Sequence, residues 1–439
     1  MRAHQQEFKF HDGDLLEEIC EISNLSKAFK AVKRNKGAPG IDGITIDTYE
    51  EKLAQELGLL KQEVLGWSYK PTPVKRVEIP KPNGKGVRLL GIPIIKDRIL
   101  HMAIKQVLEP LIDPTFSDSS YGFRPGRSQR NAVEAAREIV RSGKEYVVDI
   151  DLSKFFDRIN HDRLIHRLGL YVEDKRVLRL VGMILRSGIM SQNGLNIPTE
   201  GSVQGSPLSP LLSNIVLDEL DKELEGRGLE FCRYADDCNI FVKTEKAAER
   251  VMASIKKFIE KKLKLKVNED KSKTAKSDRV KFLGMTIVNG LIAISKQAFN
   301  KAMEKVKDLI PRGTHLPIEK AMDQFNRWYR GWGAYFSMTQ FPAQLKAIEA
   351  HARRRYRARF VKQKKRSRYL YRELVKRGIA SKEAAWTVYS NRGPWNLSHT
   401  RTIEKAYPNR WFEERVGMLI LSNRELEHWM SVTTWVKLS

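Results

Sequence analysis

Two adjacent carboxylates constrain what this chain can fold into more than any other feature. Asp236 and Asp237 lie within Phe-Cys-Arg-Tyr-Ala-Asp-Asp-Cys-Asn-Ile-Phe-Val-Lys (231–243), with apolar residues on both sides. The alternate positions of Ile240 and Val242 predict a half-buried strand after the pair, so the carboxylates are expected at the tip of a hairpin. Such charges at the edge of an apolar sheet are unfavourable unless cations or hydrogen-bond donors meet them. The alternative is that the pair is only a turn signal.

A second acidic segment, residues 146–152, reads Tyr-Val-Val-Asp-Ile-Asp-Leu. Its alternation predicts a strand with one face formed by Tyr146, Val148, Ile150 and Leu152 and the other by Val147, Asp149 and Asp151. A strand that ends in a carboxylate, followed five residues later by Phe156 and much later by an acidic hairpin, is the pattern of a polymerase palm. Asp151 is therefore the favoured catalytic carboxylate, and Asp149 is interpreted as a supporting or surface residue.

A series of short segments, taken in order, gives the chain a resemblance to a known family. The segments are 35–43 (Asn-Lys-Gly-Ala-Pro-Gly-Ile-Asp-Gly), 77–82 (Val-Glu-Ile-Pro-Lys-Pro), 88–93 (Arg-Leu-Leu-Gly-Ile-Pro), 120–126 (Ser-Tyr-Gly-Phe-Arg-Pro-Gly), 149–157, 204–210 (Gln-Gly-Ser-Pro-Leu-Ser-Pro), 234–237, 268–271, 282–284 and 330–336. Together they resemble the group II intron-encoded reverse transcriptases and maturases of bacteria over almost the whole chain. One departure is that Val203 and Ser206 stand where the family pattern has Pro and Gly.

The resemblance implies an α+β fold of the right-hand polymerase type in four parts. Residues 1–145 would form an N-terminal extension and fingers, 146–290 the palm with an antiparallel sheet, 291–364 a helical thumb or maturase domain, and 365–439 a small basic DNA-binding-like region. Local patterns predict helices over 15–33, 97–112, 128–141, 208–224 and 245–265, and hairpins over 77–93 and 280–294. Asn83-Gly84 and Asn289-Gly290 would form the two hairpin turns.

The resemblance also implies a centre for two-metal nucleotidyl transfer. Asp151, Asp236 and Asp237 would bind two Mg²⁺ ions, because Mg²⁺ prefers oxygen ligands and two such ions can clamp the attacking and leaving oxygens. Lys271 lies where relatives place a lysine that could protonate the leaving pyrophosphate.

Further residues are implied in nucleotide binding, namely Lys81, Arg88, Arg124, Phe156, Gln204 and Gly205. Lys81 and Arg88 would reach the triphosphate from the 77–93 hairpin. Arg124 is a further candidate, with the alternative that it pins the fold. Gln204 and Gly205 would lie against the nascent base pair. The ring of Phe156 would exclude a ribose 2′-hydroxyl and so select deoxynucleotides, with the alternative that one ring of the Phe155-Phe156 pair is ordinary core.

Net charge indicates the class of partner. The chain has 79 Lys and Arg against 53 Asp and Glu, a formal net charge of +26, which favours a polyanion. A membrane partner is not expected, because no apolar run approaches the ~20 residues that span a bilayer. Residues 353–377 hold thirteen Lys or Arg and a single acid, Glu373, which predicts a nucleic-acid-binding surface or a solvated helix face. The candidates are Arg353, Arg354, Arg355, Arg357, Arg359, Lys364, Lys365 and Arg366.

The three cysteines, Cys20, Cys232 and Cys238, lack a paired metal-binding spacing and are predicted to pack as small apolar groups. They fit a reducing compartment. The first 14 residues are polar and show no secretory signal. The expected location is the bacterial cytoplasm, in association with nucleic acid.

The sequence therefore predicts an RNA-directed DNA polymerase that extends a DNA primer on an RNA template with dNTPs. The family resemblance adds group II intron RNA and target DNA as partners, with roles in splicing and in intron mobility. Two alternatives stay open. One is a maturase that binds RNA without polymerising, against which the intact carboxylates argue. The other is a host-adopted relative that serves DNA repair or defence.

Overall fold

A computed structural model describes residues 14–80, 86–191, 194–197, 199–313 and 317–422 of the chain. The chain divides into two units, Met1–Lys276 and Ser277–Ser439. Helices and mainly antiparallel sheets occur together, which confirms the predicted α+β class. The finer division at residues 145, 290 and 364 stays a prediction. Within the described ranges no helix is long and apolar enough to cross a membrane.

The first unit contains ten helices and eight strands among its described residues. The helices are α1 (Leu15–Ile19), α2 (Ile22–Arg34), α3 (Ile46–Glu50), α4 (Leu53–Leu65), α5 (Ile95–Ile112), α6 (Gln129–Arg141), α7 (His161–Leu168), α8 (Lys175–Leu185), α9 (Ser209–Gly226) and α10 (Glu245–Phe258). The strands are β1 (Val74–Pro80), β2 (Val87–Ile92), β3 (Tyr146–Ile150), β4 (Ile189–Ser191), β5 (Gly194–Asn196), β6 (Glu230–Tyr234), β7 (Asp237–Val242) and β8 (Lys273–Lys276).

Most predicted helices form, because their apolar positions repeat at helical spacing. Ser128 caps α6, and its hydroxyl and the Asn131 side chain make a reciprocal capping box. The predicted helix over 15–33 is instead two helices, α1 and α2, interrupted at Cys20 and Glu21. The helix predicted over 245–265 ends at Phe258 and continues as a wider π turn to Leu263.

The sheet that carries both acidic segments has the strand order β6-β7-β3-β8 and is antiparallel throughout. Val148, Ile150 and Leu152 join the main hydrophobic core of the first unit. This core is continuous with the buried faces of α2, α5, α8 and α9. The predicted alternation is therefore confirmed for the inward face of β3. The opposite face carries the buried Val147, then Asp149 and the residue that follows the strand, Asp151.

A second sheet has the order β2-β1-β4-β5. The predicted 77–93 hairpin is confirmed by the antiparallel pairing of β1 with β2, in which Pro80 faces Val87. Its turn residues and Lys81 lie outside the described residues. The sequence did not predict β4 and β5, which are only three residues each. β4 joins β1 in parallel.

The second unit begins with a hairpin and continues as helices. Its elements are β9 (Met285–Val288), β10 (Leu291–Ile294), α11 (Lys296–Leu309), α12 (Ile318–Phe336), α13 (Pro342–Gln363), α14 (Ser367–Lys376), α15 (Ser381–Val388), α16 (Pro394–Leu397), α17 (Arg401–Ala406) and α18 (Asn409–Glu414). The turn at Asn289-Gly290 is confirmed, and both residues have positive φ, as a tight primed hairpin turn requires. Buried aromatic rings fill the interior, among them Phe325 and Tyr329, whose centroids lie 5.2 Å apart.

Candidate active site

The acidic hairpin forms as the sequence predicts. β6 pairs with β7 so that Tyr234 faces Asp237, which leaves Ala235 and Asp236 in the turn. Ala235 has φ +58°, in the left-handed region that is unfavourable for a residue with a Cβ. Gly122 lies directly against this turn, since a Cβ added there would be 2.2 Å from the Ala235 nitrogen. Only glycine fits at position 122 without moving the hairpin.

Asp151 lies at the end of the neighbouring strand. β3 pairs with β7 in a register that sets Ile150 opposite Cys238, so the next residue, Asp151, reaches the level of Asp237. Burial raises the pKa of the Asp236 carboxyl above its ordinary value, and the negative charge of Asp151 raises it further, whereas Arg88 and Lys271 act in the opposite direction. The carboxyl groups of Asp151 and Asp236 therefore share one electrostatic environment.

Lys271 joins this environment from the segment between α10 and β8. Its Nζ lies 3.4 Å from both carboxylate oxygens of Asp151. The segment is held by the backbone, because the Asn268 amide donates to the Asp151 carbonyl at 2.8 Å and the Asp151 amide donates to Ser272 Oγ at 3.0 Å. The pair is exposed, so it contributes little to stability. It places an ammonium beside the carboxylates.

The donor chemistry of the site suits Mg²⁺, which prefers carboxylate oxygens. Asp151 and Asp236 are the carboxylates that the structure brings into one environment, and Asp237 begins the strand between them. Across the described part of the chain, no group of three or more His, Cys, Asp or Glu side chains is arranged to hold a metal ion. Coordination by all three aspartates stays a prediction.

The two consecutive rings after Asp151 have different surroundings. Phe155 is buried in the core, whereas Phe156 is half-buried and packs against its edge. Their centroids lie 5.2 Å apart in an edge-to-face arrangement. Phe155 is thus the core member of the pair. The Phe156 carbonyl accepts a hydrogen bond from the Ser202 amide at 2.7 Å, which brings the 202–206 loop beside it.

Gln204 and Gly205 lie against the β2 strand. The Gly91 amide donates to the Gln204 carbonyl at 2.9 Å. Gly205 has φ +124°, and a Cβ added there would be 2.5 Å from the Gly91 carbonyl oxygen. Close backbone approach therefore requires glycine at position 205. The group that approaches Gly205 is the backbone of the β2 strand at Gly91, whereas the sequence predicted a nascent base pair. The contact of Gln204 and Gly205 with a nascent base pair stays a prediction.

The two departures from the family pattern are accommodated by neighbouring residues. Val203 fills the space left by the missing side chain of Gly91, where an added Cβ would be 2.4 Å from Val203 Cγ1. The Ser206 hydroxyl lies 2.9 Å from Nδ1 of the fully buried His101 and also accepts the Leu208 amide. Burial lowers the pKa of His101 to about 3, so this hydrogen bond is made by a neutral imidazole.

Arg124 is a candidate phosphate ligand with the alternative that it pins the fold, and its contacts favour the alternative. Its guanidinium is buried and donates to the Asp113 carboxylate and carbonyl and to the carbonyls of Ser117 and Ser120. These bonds occupy the donors that a triphosphate would need. Arg124 therefore pins the 113–124 loop. Arg88 lies exposed on β2, and its positive charge lowers the pKa of Asp236. Among the described residues, Arg88 therefore stays the candidate for binding the triphosphate.

The basic segment also needs a correction. Four of its predicted nucleic-acid ligands are buried in α13, namely Arg353, Arg355, Arg357 and Arg359. Arg355 donates to the carbonyls of Ile310 and Lys307 at the end of α11, and Arg357 donates to the Tyr407 carbonyl. Burial lowers the pKa of all four guanidinium groups. Arg355 and Arg357 therefore join helices, and all four arginines are interior residues rather than parts of an open binding surface.

The remaining members of this set differ in exposure. Arg354 lies with its guanidinium 4.1 Å from the Trp395 ring centroid. Lys364 is half-buried and its ammonium lies 3.0 Å from a Glu373 oxygen. Lys365 and Arg366 are exposed, and so is Arg368, a further basic residue of the same segment. The arginines of α13 fall on every face of the helix, so charge alone could not separate the interior ones from the exposed ones.

Comparison with known proteins supports the same functional class. Residues 79–287 match the family described as reverse transcriptase (RNA-dependent DNA polymerase), and residues 299–378 match the group II intron maturase-specific domain. Protein YkfC of Escherichia coli K12 is 33% identical over 62% of this chain and 82% of its own length. The group II intron-encoded protein LtrA of Lactococcus lactis is 28% identical over 68% of this chain and 60% of its own length.

Among solved structures, a partial Cas6-RT-Cas1–Cas2 complex is 27% identical over 56% of this chain and 42% of that one, with a TM-score of 0.37. The matched polymerase family confirms the right-hand polymerase fold that the sequence predicts. Its enzymes use divalent metal ions and bind RNA and DNA. The chain therefore belongs to the family of group II intron-encoded reverse transcriptases and maturases, and it is an RNA-directed DNA polymerase.

Proposed function

We propose that this chain extends a DNA primer on an RNA template by two-metal nucleotidyl transfer, with Asp151, Asp236 and Asp237 as the metal ligands. The observation that supports this most is the adjacency of two strand ends. The end of β3 and the β6–β7 turn bring carboxylates from residues 151 and 236 into one electrostatic environment. Neighbouring carboxylates repel each other, which raises the free energy of the folded protein, and bound cations offset this repulsion.

Each residue of the centre has a role that its position supports. Bound Mg²⁺ ions would neutralise developing charge on the phosphate and lower the pKa of the attacking primer hydroxyl. Arg88 would offset the charge of the incoming triphosphate from the β2 strand, together with Lys81, which lies outside the described residues. Lys271 holds an ammonium beside Asp151 and can give a proton to the leaving pyrophosphate. Phe156 would lie under the sugar of the incoming dNTP.

The maturase-specific region supports a second role. Residues 299–378 match that domain, and the related LtrA is named a group II intron-encoded protein. We infer that the RNA partner is a group II intron RNA and that the DNA partner is a primer or target strand. We infer a cytoplasmic location in association with nucleic acid, since these partners are intracellular RNA and DNA. The alternative is a protein that its host has adopted for DNA repair or defence. Such a protein would copy a different RNA template with the same carboxylate centre.

The experiment that tests the polymerase function uses the purified full chain, an RNA template annealed to a DNA primer and four dNTPs. In Mg²⁺ the expected result is a DNA strand complementary to the template, because the carboxylates need cations to hold the reacting phosphates. Chelation with EDTA is the control and is expected to abolish the product. No extension on any RNA template in Mg²⁺ would refute the proposal.

The exposed residues around the start of α14 are expected to contribute to nucleic-acid affinity. Changing Lys365, Arg366 and Arg368 to Gln should weaken RNA binding and lower the slope of log affinity against log salt by about 2, because each lost phosphate contact removes roughly 0.7–0.9. The matched control changes three exposed basic residues of α10 to Gln, namely Lys246, Arg250 and Lys257. Equal slopes for the α14 variant and the parent would show that these charges only face solvent.

A further inference from the structure

Arg233, the residue two positions before the acidic turn, directs its side chain into the protein interior. It is completely buried, and so is its partner, Asp221 on α9. Nε donates to one oxygen of Asp221 at 2.7 Å and Nη2 donates to the other at 2.5 Å. Nη1 donates to Asn214 Oδ1 at 3.0 Å and to the Ala235 carbonyl at 2.9 Å. One guanidinium therefore links helix α9 to the peptide that immediately precedes Asp236.

The same residue also fixes the loop that packs on the turn. The Arg233 amide donates to the Ser119 carbonyl at 2.9 Å, and the Arg233 carbonyl accepts from the Tyr121 amide at 2.8 Å. Asn214 donates through Nδ2 to the Gly122 carbonyl at 2.9 Å. Gly122 is the residue whose Cα lies against the Ala235 nitrogen. The turn is thus held by the guanidinium on one side and by this loop on the other.

Stability alone does not account for this arrangement. A fully buried ion pair can often be replaced by apolar residues of similar volume with little loss of stability, or with a gain. An apolar pair, however, could not donate to the Ala235 carbonyl. Ala235 adopts a left-handed conformation, which a residue with a Cβ keeps only when its surroundings impose it. The donor that reaches the Ala235 carbonyl is part of those surroundings.

We propose that Arg233, Asp221 and Asn214 form a positioning network. This network holds the Ala235–Asp236 peptide, and through it the Asp236 carboxylate, in the position required to bind a catalytic metal ion. The inference rests on the proposed two-metal function of Asp236. All three side chains are buried, so they would act through the turn. Asp221 fixes the plane of the Arg233 guanidinium, because both carboxylate oxygens accept from it. Nη1 donates to Asn214 and also to the Ala235 carbonyl, which links the fixed guanidinium to the turn.

The test is Arg233→Lys, which keeps the charge but loses the planar fork that contacts Asp221 and Ala235 together. We expect kcat for dNTP incorporation to fall about 10- to 100-fold, as for other residues that orient a metal ligand. The Mg²⁺ concentration that gives half-maximal rate should rise, while KM for dNTP and the Kd for primer–template stay within about 2-fold of the parent. The control is Arg357→Lys, which alters a buried arginine in the second unit that binds a backbone carbonyl.

A second variant separates positioning from folding. Arg233→Met combined with Asp221→Leu replaces the buried pair by apolar side chains, and its Tm should fall only modestly, because the Ala235 carbonyl and Asn214 Oδ1 each lose a donor while no charge is left unpaired. The losses in kcat and Mg²⁺ response should match those of Arg233→Lys. Parent-like kcat and Mg²⁺ response in the variants would overturn the inference. The inference would also be overturned if activity fell only in proportion to the decrease in Tm and the Mg²⁺ concentration for half-maximal rate did not change. Absence of extension by the parent would instead overturn the proposed function, and this inference with it.

Discussion

The Asp236→Asn protein is expected to extend an oligo(dT) primer on poly(rA) at least about 100-fold more slowly than the parent, a larger loss than the 10- to 100-fold typical of residues that only support a metal ligand. Asn has the size of Asp but offers one neutral oxygen, so it cannot offset the charge of Mg²⁺. RNA binding should stay near that of the parent, because the change removes a negative charge and no basic residue. Single-turnover extension and RNA binding are measured on the same preparation.

The matched control for this prediction is Asp149→Asn. Asp149 belongs to the same face of β3 as Asp151, but it lies within the strand, opposite Asn239, rather than at its end. We expect the Asp149→Asn protein to keep most of its activity. Loss of extension in Asp149→Asn together with near-normal extension in Asp236→Asn would remove the carboxylate assignment.

The Phe156→Val protein is expected to accept ribonucleotides, with the ratio of dATP to ATP incorporation on an RNA template falling roughly 10-fold or more. The ring is half-buried beside the 202–206 loop, and the proposed clash with a 2′-hydroxyl is steric. Valine keeps an apolar surface but leaves space for the hydroxyl. The measurement is the rate of single-nucleotide incorporation from each triphosphate.

Phe155→Val is the control for this second prediction, because Phe155 is the ring in the core. It should lower stability by less than the roughly 3–5 kcal/mol of a buried Phe→Ala change and leave sugar selection unchanged. If Phe155→Val accepts ATP and Phe156→Val discriminates as the parent does, the register of the segment after Asp151 is wrong. Asp149 would then become the first candidate for the catalytic carboxylate.

The elements that the sequence predicted well are those specified by local patterns. The period of two in 146–152 predicted the β3 strand, and the residues around Asp236 predicted a hairpin. The Asn289-Gly290 turn was also predicted, because both residues tolerate positive φ. In each of these cases a few neighbouring residues decide the conformation, so no information about distant parts of the chain is needed.

The features that sequence reasoning missed depend on distant contacts. The neighbour of Gly205 is Gly91, more than a hundred positions away, and nothing local to either residue indicates that pairing. Arg233 lies two positions before the acidic turn, yet its sequence position does not show that its guanidinium is buried against Asp221. Arg355 reads as one of many surface cations, although it bonds to carbonyls at the end of α11. Burial of arginine is set by the packing of helices, which composition does not reveal.

The central claim is that two divalent ions bind at the carboxylates on β3 and the β6–β7 turn. Mn²⁺ suits the same oxygen ligands as Mg²⁺, so electron paramagnetic resonance can count bound ions. The sample contains the full chain, an RNA template, a primer that ends in a dideoxynucleotide and the matching dNTP. We expect the parent complex to bind two more Mn²⁺ ions than the same complex of an Asp151→Asn, Asp236→Asn double variant. Equal numbers of bound Mn²⁺ in the two complexes would contradict the claim.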